Sequence, residues 1–348
     1  VTGAHGKTTT TALSAYLFLK AGLNPTVAIG GILRNVEDNA IFGEGKFFVA
    51  EADESDGSFL YYKPNYSIIT NIDYEHMDYY KDWSNLINTY KKFIGHTKEN
   101  GLVLACGDDI NLKSILGEYK NRYILFGLTR ESDIFPKEII TREWLTEFEC
   151  IYKNKSLGRF NLPLLGVHNV SNALSAIALG LEVGIDLKVI KEALSTFKGS
   201  ERRLQIKLKQ DGVLILDDYA HHPTEIRTVL GAIKKLNYKR IIVIFQPHRY
   251  SRTKLLLDEF ATCFDLSDYN IITDIYPASE EPIPDISGRS IYEKIKYAGH
   301  KETHFLPKEE IVDYVCKILR PQDLVITLGA GDIYKVCNDL VTRIKKPD

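Results

Sequence analysis

Apolar positions recur along this chain in two rhythms, and polar, chemistry-bearing residues collect where one rhythm hands over to the other. Between residues 9 and 21 they fall at Leu13, Tyr16, Leu17 and Leu19, with Gly22 next, which predicts a helix with a glycine stop. The stripe Trp83, Leu86, Ile87, Tyr90 and Phe93 predicts an amphipathic helix over 82–96, its apolar face in the core. Short apolar runs at 47–50, 67–72, 101–106 and 122–127 predict buried strands, whereas the glycine-dotted AIGGILRN (28–35) is expected to be irregular. From 132 to 162 alternation with polar turns predicts a small antiparallel insert, and GVHNVSNALSAIALGLEVG (166–184) a helix. KGSERRLQ (198–205) breaks that helical rhythm. Beyond it, apolar runs separated by helical patterns predict a mostly parallel sheet with right-handed crossovers. The reading is α/β in two domains, 1–199 and 200–348.

The polar clusters then acquire positions. VTGAHGKT opens the chain: Gly3 and Gly6 let backbone N–H groups turn toward a phosphate, and the helix behind them points its positive end the same way. Lys7 would reach the terminal phosphates of a nucleoside triphosphate, with the Thr8 hydroxyl on magnesium. The common spacing wants glycine at position 1, which is Val1, so this is a shortened form of the loop. Only two residues precede Gly3 where a buried strand is expected, so an upstream portion is expected to be missing. Glu51, Asp53, Glu54 and Asp56 crowd the end of the 47–50 strand, and Glu51 is chosen as a magnesium ligand over a solvated acidic turn. His76 follows the next strand end as a second candidate ligand or phosphate contact, a structural role being the alternative. Asn169 and Asn172 lie three apart on one helix face, suited either to an adenine edge or to ordinary capping. Of Arg202 and Arg203, one could reach a γ-phosphate as the halves close on a shared cleft, or both are solvated hinge residues. In the second half, Asp217, Asp218, Tyr219, His221 and His222 end one strand and His248, Arg249, Tyr250 and Arg252 the next. They are read as a receptor for a small carboxylate, with a structural charge network as the alternative. GAGD (329–332) lacks a full dinucleotide fingerprint and predicts a tight strand-to-helix turn.

Composition narrows the class. At 348 residues and 44% hydrophobic content the chain can bury two ordinary cores. A net charge of −2 gives no general pull toward nucleic acid or anionic membrane. The five scattered cysteines form no C-x-x-C, which favours a reduced, cytoplasmic setting over a disulfide framework or zinc site, and no apolar run reaches membrane-spanning length.

Taken in order, GAHGKTTT, EADESDGSF, TNIDYEHMD, GVHNVSNALSA, SERRLQ, DDYAHHPTE and QPHRYSRT resemble the Mur ligase family over nearly the whole chain. The resemblance implies a P-loop-type central ATPase domain followed by a smaller Rossmann-like α/β C-terminal domain. It also implies ATP and Mg2+ as cofactors and a role in peptidoglycan precursor synthesis. ATP would phosphorylate the lactyl carboxylate of UDP-N-acetylmuramate, and the amine of L-alanine would displace phosphate. Carried over by position, Gly3, His5, Gly6, Lys7, Thr8 and Thr9 hold the phosphates, and Thr8, Glu51 and His76 the metal. Asn169 and Asn172 match adenine contacts, Arg203 a γ-phosphate contact and Asp218 the ribose-binding acid. Tyr219, His221, His248, Arg249 and Arg252 match the place where amino acid and carboxylate meet, and Lys7, His221, His248, Arg249 and Arg252 are the catalytic candidates. Attachment of a whole tripeptide to the same sugar nucleotide, folylpolyglutamate synthesis and a non-catalytic nucleotide-binding regulator are the rival readings. The family carries a UDP-binding domain ahead of the loop, so weak turnover is expected of a chain that starts here.

Overall fold

The computed structural model describes residues 1–300 and 302–345. The chain divides into two compact units, Val1–Glu201 and Arg202–Asp348.

The first unit holds two sheets. In the smaller, β1 (Thr26–Leu33) lies between antiparallel β2 (Asp38–Ile41) and parallel β3 (Phe48–Ala50). The glycine-dotted segment expected to be irregular is therefore the central strand of this sheet. Its pairing on both sides outweighs the poor strand propensity of Gly30 and Gly31. The larger sheet runs β4 (Tyr66–Ile69), β5 (Leu102–Cys106), β6 (Tyr123–Phe126), β7 (Ile134–Arg142), β8 (Leu145–Tyr152) and β9 (Lys155–Leu162) in spatial order. Strands β4 to β7 are parallel and β7 to β9 antiparallel, so the expected insert is a meander continuing the main sheet. The chain start lies between the two sheets: the Val1 amine donates to Ala50 O and Thr2 bridges Ile69.

Helix Lys7–Lys20 has eleven buried residues, more than one stripe supplies, because it is covered by helix Val167–Val183 as well as by the small sheet. Helix Trp83–Gly95 starts on Asp82, whose side chain accepts from Asn85 N, and buries Leu86, Tyr90 and Phe93, with Trp83 and Ile87 partly covered. Phe59, fully buried, stacks on Phe93 at 4.8 Å and meets Tyr90 edge-on at 5.5 Å. This anchors the acid-rich loop after β3 to the core. Truncating an aromatic so placed costs about 3–5 kcal/mol.

The second unit is one sheet, in spatial order β10 (Gln205–Gln210), β11 (Val213–Asp218), β15 (Asp323–Leu328), β12 (Arg240–Phe245), β13 (Tyr269–Ile272) and β14 (Thr303–Phe305). Only β10 is antiparallel to its neighbour. The polar clusters after β11 and β12 were expected on adjacent strands, but β15 is inserted between them. GAGD makes the turn from β15 into helix Tyr334–Lys345. The segment after β12 forms two short helices, Tyr250–Leu255 and Leu257–Phe260, broken at Leu256. Among the described residues no helix is long and apolar enough to cross a membrane.

Candidate functional site

The opening loop is fastened to the end of β4. Ala4 N donates to Asn71 O, His5 N to Asn71 Oδ1, and Thr70 Oγ1 and Asn71 Nδ2 both donate to His5 O. Gly3 has φ +130°, and a Cβ there would fall 2.2 Å from Thr70 Oγ1, so both its conformation and its space demand glycine. His5 Nε2 sits 2.9 Å from Asp73. Helix Lys7–Lys20 begins at Gly6 with no side-chain cap and no acid in its first turn, an N-terminus suited to an anion.

Two carboxylates from the loop after β3 meet the loop's last residues. Glu51 Oε1 accepts from Thr8 Oγ1 at 2.9 Å, and Glu51 Oε2 from Gly30 N at 2.7 Å. A Cβ on residue 30 would lie 2.9 Å from both Glu51 oxygens, so Gly30 permits this approach. The sequence reading passed over that glycine, although its signal, a Gly-Gly pair inside an apolar run, was present. Glu54, fully buried, accepts from Lys7 Nζ at 2.8 Å, while Lys7 also donates to Gly3 O and Ala4 O at 2.7 and 3.2 Å. Burial pushes Glu54 up to about 7 against the pull of Lys7. On Lys7 burial works downward, but Glu54 and Asp53 outweigh it and keep the ammonium charged.

His76 takes a left-handed backbone (φ 58°) at the start of helix Met77–Tyr80. Its Nε2 lies 3.7 Å from Glu54 Oε1 and 3.8 Å from Glu75 Oε2. The two expected metal ligands thus stand in different company, Glu51 with Thr8 and His76 with Glu54 and Glu75. One ligating atom from each of Glu54, Glu75 and His76 falls within 4.8 Å of the others. Glu54 Oε2 has no hydrogen-bond partner among the described residues. A buried carboxylate oxygen left over, beside a second carboxylate and an imidazole, fits a hard divalent cation. Glu75 was not singled out from the sequence; only this geometry brings it forward.

Asn169 and Asn172 are buried on helix Val167–Val183, whose N-cap is Gly166, so neither caps it. Asn169 Nδ2 donates to Leu165 O, Asn172 Nδ2 lies 3.3 Å from Asn169 Oδ1, and a Cβ on Gly6 would fall 2.9 Å from Asn172 Oδ1. Asn172 therefore backs the opening loop directly. Thr9 is buried on the same side of the unit, in the first turn of helix Lys7–Lys20.

In the second unit the two arginines of SERR part company. Arg202 spends its whole fork internally: Nε on Asp217 Oδ2 at 3.0 Å, Nη1 on Gly331 O at 3.0 Å and Nη2 on Gly329 O at 2.5 Å, its plane between the Tyr219 and Tyr334 rings. Arg203 also lies over the Tyr219 ring, 4.0 Å from Glu225 and partly exposed. Asp218, 3% exposed, accepts from Leu204 N at 2.6 Å and Ala220 N at 2.8 Å, and burial raises it to about 6.

Of the three histidines, one also has a local capping role. His222 caps helix Pro223–Ile233 in a capping box with Glu225 and is 2% exposed. The His221 ring lies 5.6 Å from that of His248, which in turn stacks on Tyr276. Burial first, then His221, Arg252 and Arg249, hold His248 down to about 3, so it is neutral. Its Nδ1 lies 3.2 Å from Arg252 Nη1, and because guanidinium only donates, the ring proton belongs on Nε2. Arg249 has φ 70° and a buried Nε without a partner among the described residues. Glu225 lies near His221 and Arg203, and Glu280 accepts from Ser251 N and Oγ.

Comparison with known proteins agrees with this geometry. The family described as Mur ligase middle domain matches residues 1–180, and that described as Mur ligase, glutamate ligase domain, matches 202–331. A UDP-N-acetylmuramate–L-alanine ligase from Desulfatibacillum aliphaticivorans is 44% identical over 338 residues, 97% of this chain and 74% of that protein. The solved UDP-N-acetylmuramate-alanine ligase from Thermotoga maritima superposes with TM-score 0.82 at 30% identity, covering 99% of this chain and 74% of its own. A MurF ligase from Thermotoga maritima in complex with ADP shares the fold at 20% identity, with TM-score 0.78 and coverages of 99% and 79%. With both family segments matched in order, and relatives similar through both units, the chain belongs to the Mur ligase family.

Proposed function

We propose that this chain joins UDP-N-acetylmuramate to L-alanine with hydrolysis of ATP to ADP and phosphate. This is amide formation in peptidoglycan precursor synthesis, carried out in the cytoplasm. The 44% identity to a UDP-N-acetylmuramate–L-alanine ligase, sustained over 97% of the chain, carries this reading. The uncapped helix start and Lys7 would take the β- and γ-phosphates, with Gly3, His5, Gly6 and Thr9 shaping the loop around them. Asn169 and Asn172 would meet the adenine, Asp218 the ribose and Arg203 the γ-phosphate. Thr8, Glu51 and His76 would hold Mg2+, which when bound neutralises charge on the transferring phosphoryl group.

The lactyl carboxylate oxygen attacks the γ-phosphorus and ADP leaves, giving an acyl phosphate. The alanine amine then adds to its carbonyl, and the tetrahedral adduct expels phosphate as the nitrogen loses a proton. Arg249 and Arg252 would fork the alanine or reacting carboxylate. Neutral His248, its Nε2–H outward, would donate to a developing oxyanion, with Tyr219 and His221 completing that pocket.

The test is phosphate release from ATP with UDP-N-acetylmuramate and either L-alanine or a tripeptide. Faster release with L-alanine is expected. The ratio of the two rates is diagnostic, because both reactions draw on the same sugar nucleotide and ATP. Preference for the tripeptide overturns the assignment.

A further inference from the structure

Glu54 is assigned no part in the reaction above, yet it is the sole carboxylate in contact with the Lys7 ammonium among the described residues. All three Lys7 N–H bonds are engaged, two on the neutral carbonyls Gly3 O and Ala4 O and one on Glu54 Oε1. A phosphate oxygen can displace a neutral carbonyl at small loss; displacing a fixed carboxylate is harder.

Glu54 is indeed fixed. Its side chain is 0% exposed, and its own carbonyl accepts from the Tyr80 hydroxyl and from Gly57 N. Asp53 beside it is pinned by Ser55 N, and a Cβ on Gly57 would strike Tyr79 Oη at 2.5 Å. The partner that can move is the lysine, whose four-carbon stem needs something to aim it.

We propose that Glu54 is a positioning residue: it keeps one N–H of Lys7 and so directs the other two from the loop carbonyls onto the phosphates of a bound nucleotide. The proposal rests on the reading of Lys7 as a phosphate ligand.

Five forms of the chain decide it, each titrated with MgADP by calorimetry and checked by thermal melting: wild type, Glu54→Ala, Glu54→Gln, Lys7→Met, and Lys7→Met with Glu54→Ala. Glu54→Ala is expected to raise Kd about tenfold, since an unaimed group of this kind loses one to two orders of magnitude. Glu54→Gln, whose amide oxygen still accepts, is expected to stay within about threefold of wild type. In the Lys7→Met background the second substitution is expected to add nothing, as required of groups acting through one contact. The double variant removes both buried charges together, so it keeps the test open should Glu54→Ala fold poorly. An equal loss from Glu54→Ala with and without Lys7 overturns the proposal, because Glu54 would then serve a metal or the loop at large. Wild-type affinity in Glu54→Ala overturns it as well. Failure of the wild type itself to bind MgADP removes the phosphate-ligand reading, and the proposal with it.

Discussion

Replacing Arg202 and Arg203 one at a time by Met should separate stability from chemistry at neighbouring positions. Arg202 makes three charge-assisted bonds, and its Asp217 partner is fully buried, left among the described residues with only Thr327 Oγ1 at 2.6 Å once the arginine is gone. Breaking a buried pair from one side costs about 3–5 kcal/mol, a large part of a typical folding free energy of about 5–15 kcal/mol. At about 2–4 °C per kcal/mol for a protein of this size, the midpoint should drop by about 10 °C. Arg202→Lys should not rescue it, since an ammonium cannot span three divergent acceptors. Arg203, 28% exposed and 4.0 Å from Glu225, should cost under about 1 kcal/mol. Its loss should instead lower alanine-dependent phosphate release by about 10²-fold, as for other groups aimed at developing charge. Urea unfolding, calorimetric melting and phosphate release on both variants are the assays. Equal melting losses, or a stable Arg202→Met beside an unstable Arg203→Met, would refute the division of labour.

Thr8→Val and Glu51→Gln should each raise the Mg2+ concentration needed for half-maximal ADP binding by about tenfold, with little change in melting; an unaltered requirement would make the Thr8–Glu51 contact purely structural. Asp218 stands at about 6 in the fold against an ordinary 3.8, so the native state binds the extra proton between those values. Its contribution is full below about pH 4 and is lost as pH rises to about 6, a decline on the order of 3 kcal/mol. Asp218→Asn should abolish that decline; urea unfolding at pH 4 and pH 7 that shows the same difference in both proteins would contradict it.

Much of this was legible in the residues. The helix after Lys7 announced itself by period and glycine stop, the one after Asp82 by its apolar stripe, and the strand ends by their polar clusters, because local pattern and tertiary fate agree there. The central strand β1 was not legible, since Gly30 and Gly31 weaken the local signal and only pairing on both sides restores it. Nor could spacing distinguish Glu51 from Glu54: both follow β3, and only the three-dimensional turn hands one to Thr8 and the other to Lys7. The separation of β11 from β12 by β15 escaped for a similar reason, as a strand from the chain's far end enters their gap. That His222 caps helix Pro223–Ile233 was not legible either, since its sequence context did not set it apart from His221.

The depressed basicity of His248 has one more result. A pocket built from imidazoles ordinarily gains positive charge as a compartment acidifies, and its grip on anions drifts accordingly. Here position 248 adds no charge anywhere between mild acid and mild base, so any attraction for a carboxylate at this ring would be left to the permanently charged guanidinium groups of Arg249 and Arg252. Fluctuations of internal acidity that would retune a histidine switch would leave the charge at this position as it was.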